Sequence, residues 1–564
     1  MLGISAIKST FSRFGSAAGR SLRYTVDQIF GSNGGGGYAA GKVNRLTKWW
    51  MPTRMNENGV PGAQVQRVRW EAWELWRNNP HARKVVNSLT SKIVGPRGLH
   101  PQSHAKRADG TPHTEFRAAA KELWSMLYRG FDYRGQPGQG GLDTPELQKS
   151  ALRSAVLSGE TLYTVRPITS REQARRGIPV PLVLQLIHPE RLDETMTSAA
   201  TDANRIYRGI EIDGDGQRVA YWILPQHPSD PLLTVSGLGS QRIPANQVGH
   251  LFCADDIDQL RGVSWFAPAL MQLKDTGDYQ YNELMASAVS ACVALHYTPS
   301  HPGATIGLPE TSGDDTDLTD SAGNPLTRLQ PGMIIRGGSV NMLNPSRPNA
   351  NAEPWINHLL RGTAASFPGT KASTVTGDYR NSSFSSERSA DNDVWPEIEG
   401  LQAWFASGFC QPIYEQIIDA AVAYGYFDGI ITPSEYAARR REYICTSWQG
   451  PVARSINPVD DANAAKLRVA AGISTPQIEC SKIGLDWQDV LSGIAEFGEF
   501  AESMDIEEEY VNNVLGVTTA NVTEPPEVES EDPAMAGTET ETDTEEVPED
   551  ETNTESQDAP PVAT

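Results

Sequence analysis

Phe266, Leu270, Leu273, Gly277, Tyr281, Leu284, Ala288, Cys292 and Leu295 recur every three or four positions. That spacing lays them along one stripe of a helix about thirty residues long. Pro268 falls in its expected first turn, where a missing N–H costs little. The second half, "ASAVSAC", is made of small residues that let a neighbouring helix approach closely. A long helix with one narrow stripe needs partners to bury it.

Upstream of the stripe the pattern is mixed, which makes the fold class α+β. "RVRWEAWELWRNNPHARKVVNSLTSKIVG" reads as two helices broken at Asn79-Pro80. The first carries Trp70, Trp73 and Trp76 on one side, and the second carries Val85, Val86, Leu89 and Ile93. "TEFRAAAKELWSMLYRG" and "TPELQKSALRSAVLSG" are two more, the latter with Thr144 as expected N-cap and Gly159 as its stop. Then the period drops to two. "ETLYTVRP", "LVLQLIHP", "RIYRGIEID" and "QRVAYWIL" read as strands, with Asp213-Gly214-Asp215-Gly216 as a hairpin turn. Downstream lie an expected hairpin in "GMIIRGGSVNML", a helix in "PWINHLLRGTAASF", and a helix from about Ser385 toward Gly425 bent by Pro396 and Pro412.

Between the last two helices stands "TKASTVTGDYRNSSFSSERS", Thr370 to Ser389, with almost no apolar content. Structureless loops of that length inside a domain are uncommon and usually functional.

Little in the sequence signals catalysis. "GGYAAGKV", Gly36 to Val43, misses the phosphate-loop pattern because Val43 stands where a magnesium-holding hydroxyl belongs, and no strand precedes it. An enzyme hydrolysing nucleotides or nucleic acid through that segment is the alternative reading. Asp213 and Asp215 open like a calcium loop, but Leu224 at the twelfth position cannot ligate. Asp255, Asp256 and Asp258 read as a solvated loop rather than a chelating set, and the ten histidines show no H-E-x-x-H spacing. No cofactor or metal is implied.

Charge narrows the partners. The net charge is -22, and the segment from Asn521 onward holds fifteen acids and no Lys or Arg, while the first 54 residues hold eight Lys or Arg against one acid. The segment between them is acidic too, a poor basis for gripping DNA, since non-specific DNA affinity comes mainly from Lys and Arg releasing counterions. The five cysteines, Cys253, Cys292, Cys410, Cys445 and Cys480, form no C-x-x-C pair, which reads as a reduced intracellular chain. The longest apolar run, "LMASAVSACVAL", stops at twelve residues, short of the ~18 that span a bilayer, so no membrane partner is expected. The acidic end cannot bury enough surface to offset its chain entropy. Truncation after about residue 520 is therefore expected to leave the melting temperature of the protein unchanged; a clear drop would mean the tail docks.

Several stretches taken together resemble the lambda-type portal proteins of tailed bacteriophages. They are "YAAGKVNRLTKWW", "WRNNPHARKVVNSLTSKIVG", "IHPERL", "VGHLFCADDIDQLRGVSWFAPAL" and "LQPGMIIRGG". Later come "GDYRNSSFSSERS", "WFASGFCQPIYEQIIDAAVAYG" and "SWQGPVARSINPVDDANAAKLRVAAGISTPQIECSKIGLDWQDV". Asn457 and Asp460 depart from the family's usual D-P-x-K-E, and Phe384 stands where Tyr is common.

The resemblance implies a homo-oligomeric ring, typically a dodecamer, at one capsid vertex of the virion, assembled in the host cytoplasm. Double-stranded DNA is packaged and ejected through it, and the implied partners are the terminase large subunit, the major capsid protein and head-completion or adaptor proteins. By order along the chain, it implies a flexible basic arm over 1–54, an α+β wing over 55–263, a stem helix over 264–295 and a clip over 296–352. A second stem helix over 353–369, a tunnel loop over 370–386, a kinked helix with helical wing and crown over 387–505, and an acidic tail over 506–564 complete it. On that mapping Lys371, Tyr379, Arg380, Phe384 and Arg388 face the channel, and Phe266, Leu270, Leu273, Tyr281 and Leu284 pack the stem.

Overall fold

The computed structural model describes residues 55–198, 204–230, 239–296, 333–335, 349, 351–380, 383–453 and 457–504. The basic arm, the "GGYAAGKV" segment, most of 297–350 and the acidic tail lie outside them.

The chain begins with α1 (Gly62–Asn78) and α2 (Pro80–Ile93). One residue makes the break between them. The Asn79 N–H donates to the Leu75 carbonyl at 2.7 Å, closing α1, while its side chain accepts from the His81 and Ala82 N–H groups at 2.9 and 3.1 Å, opening α2. Val85, Val86, Leu89 and Ile93 are fully buried, as their spacing predicts. The tryptophan side of α1 is different. Its buried residues are Val65, Arg69 and Ala72, whereas Trp70 is 55% exposed.

After β1 (His100–Ser103) and α3 (Thr114–Met126) comes α4 (Thr144–Ser158). Its N-cap is Asp143 rather than Thr144: the Asp143 carboxylate accepts from the Glu146 N–H at 2.9 Å. The Thr144 hydroxyl is turned away to the Leu127 carbonyl. Gly159 ends the helix at φ +88°, and a Cβ there would sit 2.3 Å from the Val263 backbone, so conformation and space both require glycine.

Two antiparallel sheets follow. The first orders β3 (Leu182–Ile187), β2 (Glu160–Pro167) and β8 (Gly249–Phe252), with Leu162 opposite Ile187 and Glu160 opposite Phe252. Between β2 and β3 runs the short helix α5 (Ser170–Arg176). The second sheet is a meander of β4 (Arg205–Tyr207), β5 (Ile210–Ile212), β6 (Arg218–Ile223) and β7 (Gln241–Pro244). "RIYRGIEID" is therefore two strands. Arg208 and Gly209, at φ +46° and +84°, form the tight loop between them, the backbone that two-residue hairpins prefer. Asp213 and Asp215 are turn residues, with the Asp213 carboxylate accepting from the Asp215 and Gln217 N–H groups.

A buried ionic network joins α1 to both sheets. Glu160, at the start of β2, is fully buried and meets Arg261 at 2.5 Å, Arg69 of α1 at 3.1 Å and His250 of β8 at 3.0 Å. Glu194 bridges on to Arg208 at 2.9 Å and to Arg261 at 3.3 Å. Burial alone would raise the Glu160 pKa, but Arg261, His250 and Arg69 outweigh it and hold the carboxyl well below the usual range. Burial also lowers the His250 pKa, against the pull of Glu160.

The long helix α6 spans Leu270–Cys292. It starts later than the stripe suggests, because Phe266 to Ala269 form a turn in which the Phe266 N–H is held by the Ser264 hydroxyl. Two short strands, β9 (Val293–His296) and β10 (Met333–Ile335), pair in parallel. Met333–Ile335 thus joins the end of α6, and the expected return strand of its own hairpin lies outside the described residues. Next come α7 (Ala352–Ala365), α8 (Ala372–Thr376) and α9 (Phe384–Phe405). A π-helical turn, Ala406–Cys410, separates α9 from α10 (Gln411–Ala423). Pro396 lies inside α9, while Pro412 falls in the first turn of α10, just after the π turn. A wider turn needs no i→i−4 donor at that point, which explains how a proline sits in a continuous helical run.

Phe405, Phe409, Ile413 and Ile417 of this run are buried in one core with Leu89 of α2, Phe116 of α3 and Leu152 of α4. After α11 (Pro433–Tyr443), β11 (Thr446–Gln449) pairs antiparallel with β1 and brings the helical part back onto the first. α12 (Pro458–Ala470) and α13 (Pro476–Lys482) follow. By internal contacts the chain divides after Trp487. In the second unit, α14 (Trp487–Ser503) exposes Leu491, Ile494, Phe497 and Phe500 at helical spacing.

Candidate channel segment and subunit-facing helix

The polar stretch after α7 is more ordered than its composition suggests. Gly369 starts it at φ +69°, held by Lys92, whose ammonium donates to its carbonyl, and by Glu397, which accepts from its N–H. Ser373, Thr374 and Val375 of α8 are then buried, and His81 of α2 bonds the Val375 carbonyl at 2.9 Å. Hydroxyl residues can be buried when their oxygens are satisfied locally, and Thr376 donates back to the Ala372 carbonyl at 3.1 Å. Beyond α8, Gly377 turns the chain at φ +68°, and the Ser383 hydroxyl caps α9 by accepting from the Ser386 N–H. The expectation of one long structureless loop is corrected accordingly.

Two of the three cations expected here, Lys371 and Arg380, are paired. The Lys371 ammonium lies 2.5 Å from Glu387 and 2.8 Å from Asp391; burial lowers its pKa, but the two carboxylates outweigh that and raise it. Arg380 pairs with Asp378 at 2.8 Å and with Glu353 of α7. Its hydrogen bonds lower the Asp378 pKa to about 2. Arg380 is 70% exposed, so its partners are screened by water and easily exchanged for another anion. Tyr379 is 55% exposed and Arg388 is exposed on the first turns of α9. Phe384 opens α9, and its side chain lies outside what is described. The segment presents the exposed ring of Tyr379 and the guanidinium of Arg380, whose charge is matched by Asp378 and Glu353.

The apolar stripe divides near Gly277. Phe266, Leu270 and Leu273 are buried in the chain's own core. The Phe266 ring meets Phe367 at 4.7 Å, and the Gln272 side chain donates to the Leu359 carbonyl of α7 at 2.8 Å. Past the glycine, Tyr281 and Leu284 are 63% and 67% exposed. The single chain therefore leaves two of the five expected stem-packing residues uncovered.

Asp255, Asp256 and Asp258 are not gathered around a common point. The Asp255 and Asp256 N–H groups donate to the Gln259 side chain, and Asp256 and Asp258 bond Glu57 and Asn58 near the start of the described chain. Sequence reasoning passed over a different group, His188, Glu190 and His227, whose ligand atoms lie within 4.8 Å of one another. The signal was absent because His227 is far from the other two in the chain and only the return of β6 beside β3's exit brings it back.

Residues 43–402 match the family model of the phage portal proteins, lambda family. The chain is 23% identical over 482 residues to the probable portal protein of Halomonas phage phiHAP-1, covering 84% of this chain and 88% of that one. It is 20% identical over 491 residues to portal protein B of Escherichia phage lambda, covering 83% and 89%. A solved chain from the neck of a native gene transfer agent particle, computed with C12 symmetry, is 13% identical over 74% of this chain and 93% of that one, with a TM-score of 0.34. A match that spans most of the chain, in the order in which its helices and strands are laid down, makes this protein a member of the lambda family of phage portal proteins.

Proposed function

We propose that this protein is the subunit of the portal ring, the channel at one capsid vertex through which double-stranded DNA is packaged and ejected. The observation that supports it best, beside the family match, is the divided stripe of α6: a helix anchored in its own subunit by Leu270 and Leu273 exposes Tyr281 and Leu284, apolar residues that a neighbouring copy would cover. About twelve copies around the channel, docking a terminase and head-completion proteins on the capsid's outer side, complete the reading. The matched family is structural rather than catalytic, and nothing favours hydrolysis through "GGYAAGKV". Purified protein at micromolar concentration, without nucleotide or DNA, is expected to give rings with a central hole in negative stain; a stable monomer would overturn the reading.

Within that ring, residues 377–383 and the start of α9 face the channel. Deleting the stretch from Ser373 would cut into buried residues of α8, so the informative change keeps the length and replaces 378–382 with Gly and Ser. Rings are expected to form normally, while packaged DNA slips out or falls short of full length. Normal packaging and retention would make the loop a connector.

A further inference from the structure

His188, Glu190 and His227 converge where the chain leaves β3 and β6. His188 directly follows β3 and starts the short 3₁₀ turn Pro189–Arg191, which swings Glu190 back beside it. His227 lies just past the end of β6. The His227 Nε2 is 3.1 Å from the Glu190 Oε2, and the two imidazole rings are 4.7 Å apart at 72°. Bonds of ~2.0–2.1 Å to a tetrahedral ion separate its ligand atoms by roughly 3.3 Å. One pair already has that spacing, and all three ligand atoms lie within 4.8 Å of one another.

We propose that these three side chains form a binding site for a divalent transition-metal ion of the Zn²⁺ type, with its fourth position left to water. The chemistry of the donors selects the class: two imidazoles and one carboxylate suit zinc and its neighbours, whereas magnesium and calcium require oxygen ligands.

The surroundings orient the ligands. The Trp70 indole N–H donates to the Glu190 Oε1 at 2.6 Å, leaving Oε2 for the metal. The Ser229 N–H donates to the His227 Nδ1 at 3.2 Å and its hydroxyl lies 2.8 Å from the same nitrogen, which holds the ring with Nε2 toward Glu190. His188 packs against Trp73 with ring centroids 5.9 Å apart, and its one hydrogen bond, from the Glu190 N–H at 3.3 Å, is long enough to be given up. Arg69, Arg77 and Arg191 lie near enough to His188 to act on its charge. Those arginines oppose a cation; Arg69 is itself neutralised by Glu160 and Glu194. The ion would tie the exit of β3 to the exit of β6, a clamp between the two sheets on the side where α1 presents its tryptophans.

Untagged full-length protein titrated with Co²⁺ is expected to develop the visible d–d bands of a tetrahedral site at one ion per chain, bleached by Zn²⁺. His227→Asn should abolish the bands with the metal-free melting temperature unchanged, because this ring is a third exposed; Glu190→Gln is the second variant should the first misfold. His104→Asn, at an exposed histidine elsewhere, should keep them. Zn²⁺ should raise the melting temperature of the wild type and not of the variants. Absence of the bands in the wild type, or their persistence in both His227→Asn and Glu190→Gln, overturns the site.

Discussion

Leu284→Asp is expected to leave a folded, stable monomer that no longer forms rings, whereas Leu273→Asp is expected to yield no folded protein at all. The two positions lie on one face of one helix and carry the same side chain. They differ in cover: Leu273 is fully buried in the subunit and Leu284 is 67% exposed. A carboxylate forced into the Leu273 site is buried in an apolar core, and an unpaired buried charge costs several kcal/mol, a large share of the roughly 5–15 kcal/mol that holds a domain together. At Leu284 the charge meets water in the monomer and is buried only when a neighbour arrives. Tyr281→Asp should behave as Leu284→Asp does. Size-exclusion chromatography with light scattering reads assembly and circular dichroism reads folding. Rings of normal size from Leu284→Asp and Tyr281→Asp would show that this face of α6 is not an interface.

Glu160→Ala is expected to lose about 3–5 kcal/mol, because it strands Arg69 and Arg261 in the interior with their main counter-ion gone. The same network makes the protein acid-sensitive. The Glu160 carboxyl titrates well below its unfolded value, so its contribution is complete above about pH 4.3 and is lost as pH falls toward the folded value. The His250 pKa is also depressed, chiefly by burial, so the unfolded chain takes up the proton first and stability begins to fall below about pH 6.5. Both groups act in one direction. Denaturant midpoints measured from pH 7 to pH 2 should fall throughout, first through His250 and, below about pH 4.3, through Glu160, and in Glu160→Gln the fall below about pH 4.3 should flatten. A midpoint independent of pH over this range would contradict the account.

Much of the fold was legible along the chain. The break at Asn79-Pro80, the buried face of α2, the strands from Glu160 onward and the run of helix after Ser383 are local matters of period, capping and turn chemistry, and each was read from adjacent residues. The errors were local competitions. Asp143 outbid Thr144 as a cap because a carboxylate accepts more strongly at a helix start, and "RIYRGIEID" split because Arg208-Gly209 turns tightly. The polar stretch misled most. Hydroxyl and small residues count as solvent-exposed in any composition, yet Ser373, Thr374 and Val375 pack against α2 once their polar atoms are satisfied.

The sequence alone determined the α+β class, the long amphipathic helix and, through the order of its motifs, the portal family, because periodicity and motif order are carried by neighbouring residues. Only the tertiary structure decided which half of the α6 stripe is covered, that Lys371 and Arg380 are already paired with acids, and that His188, Glu190 and His227 meet. Those facts depend on residues far apart in the chain, such as Arg380 with Glu353, and on the backbone paths that bring them together. Side-chain chemistry states what a residue can bind; only the folded path of the chain sets what stands within reach of it.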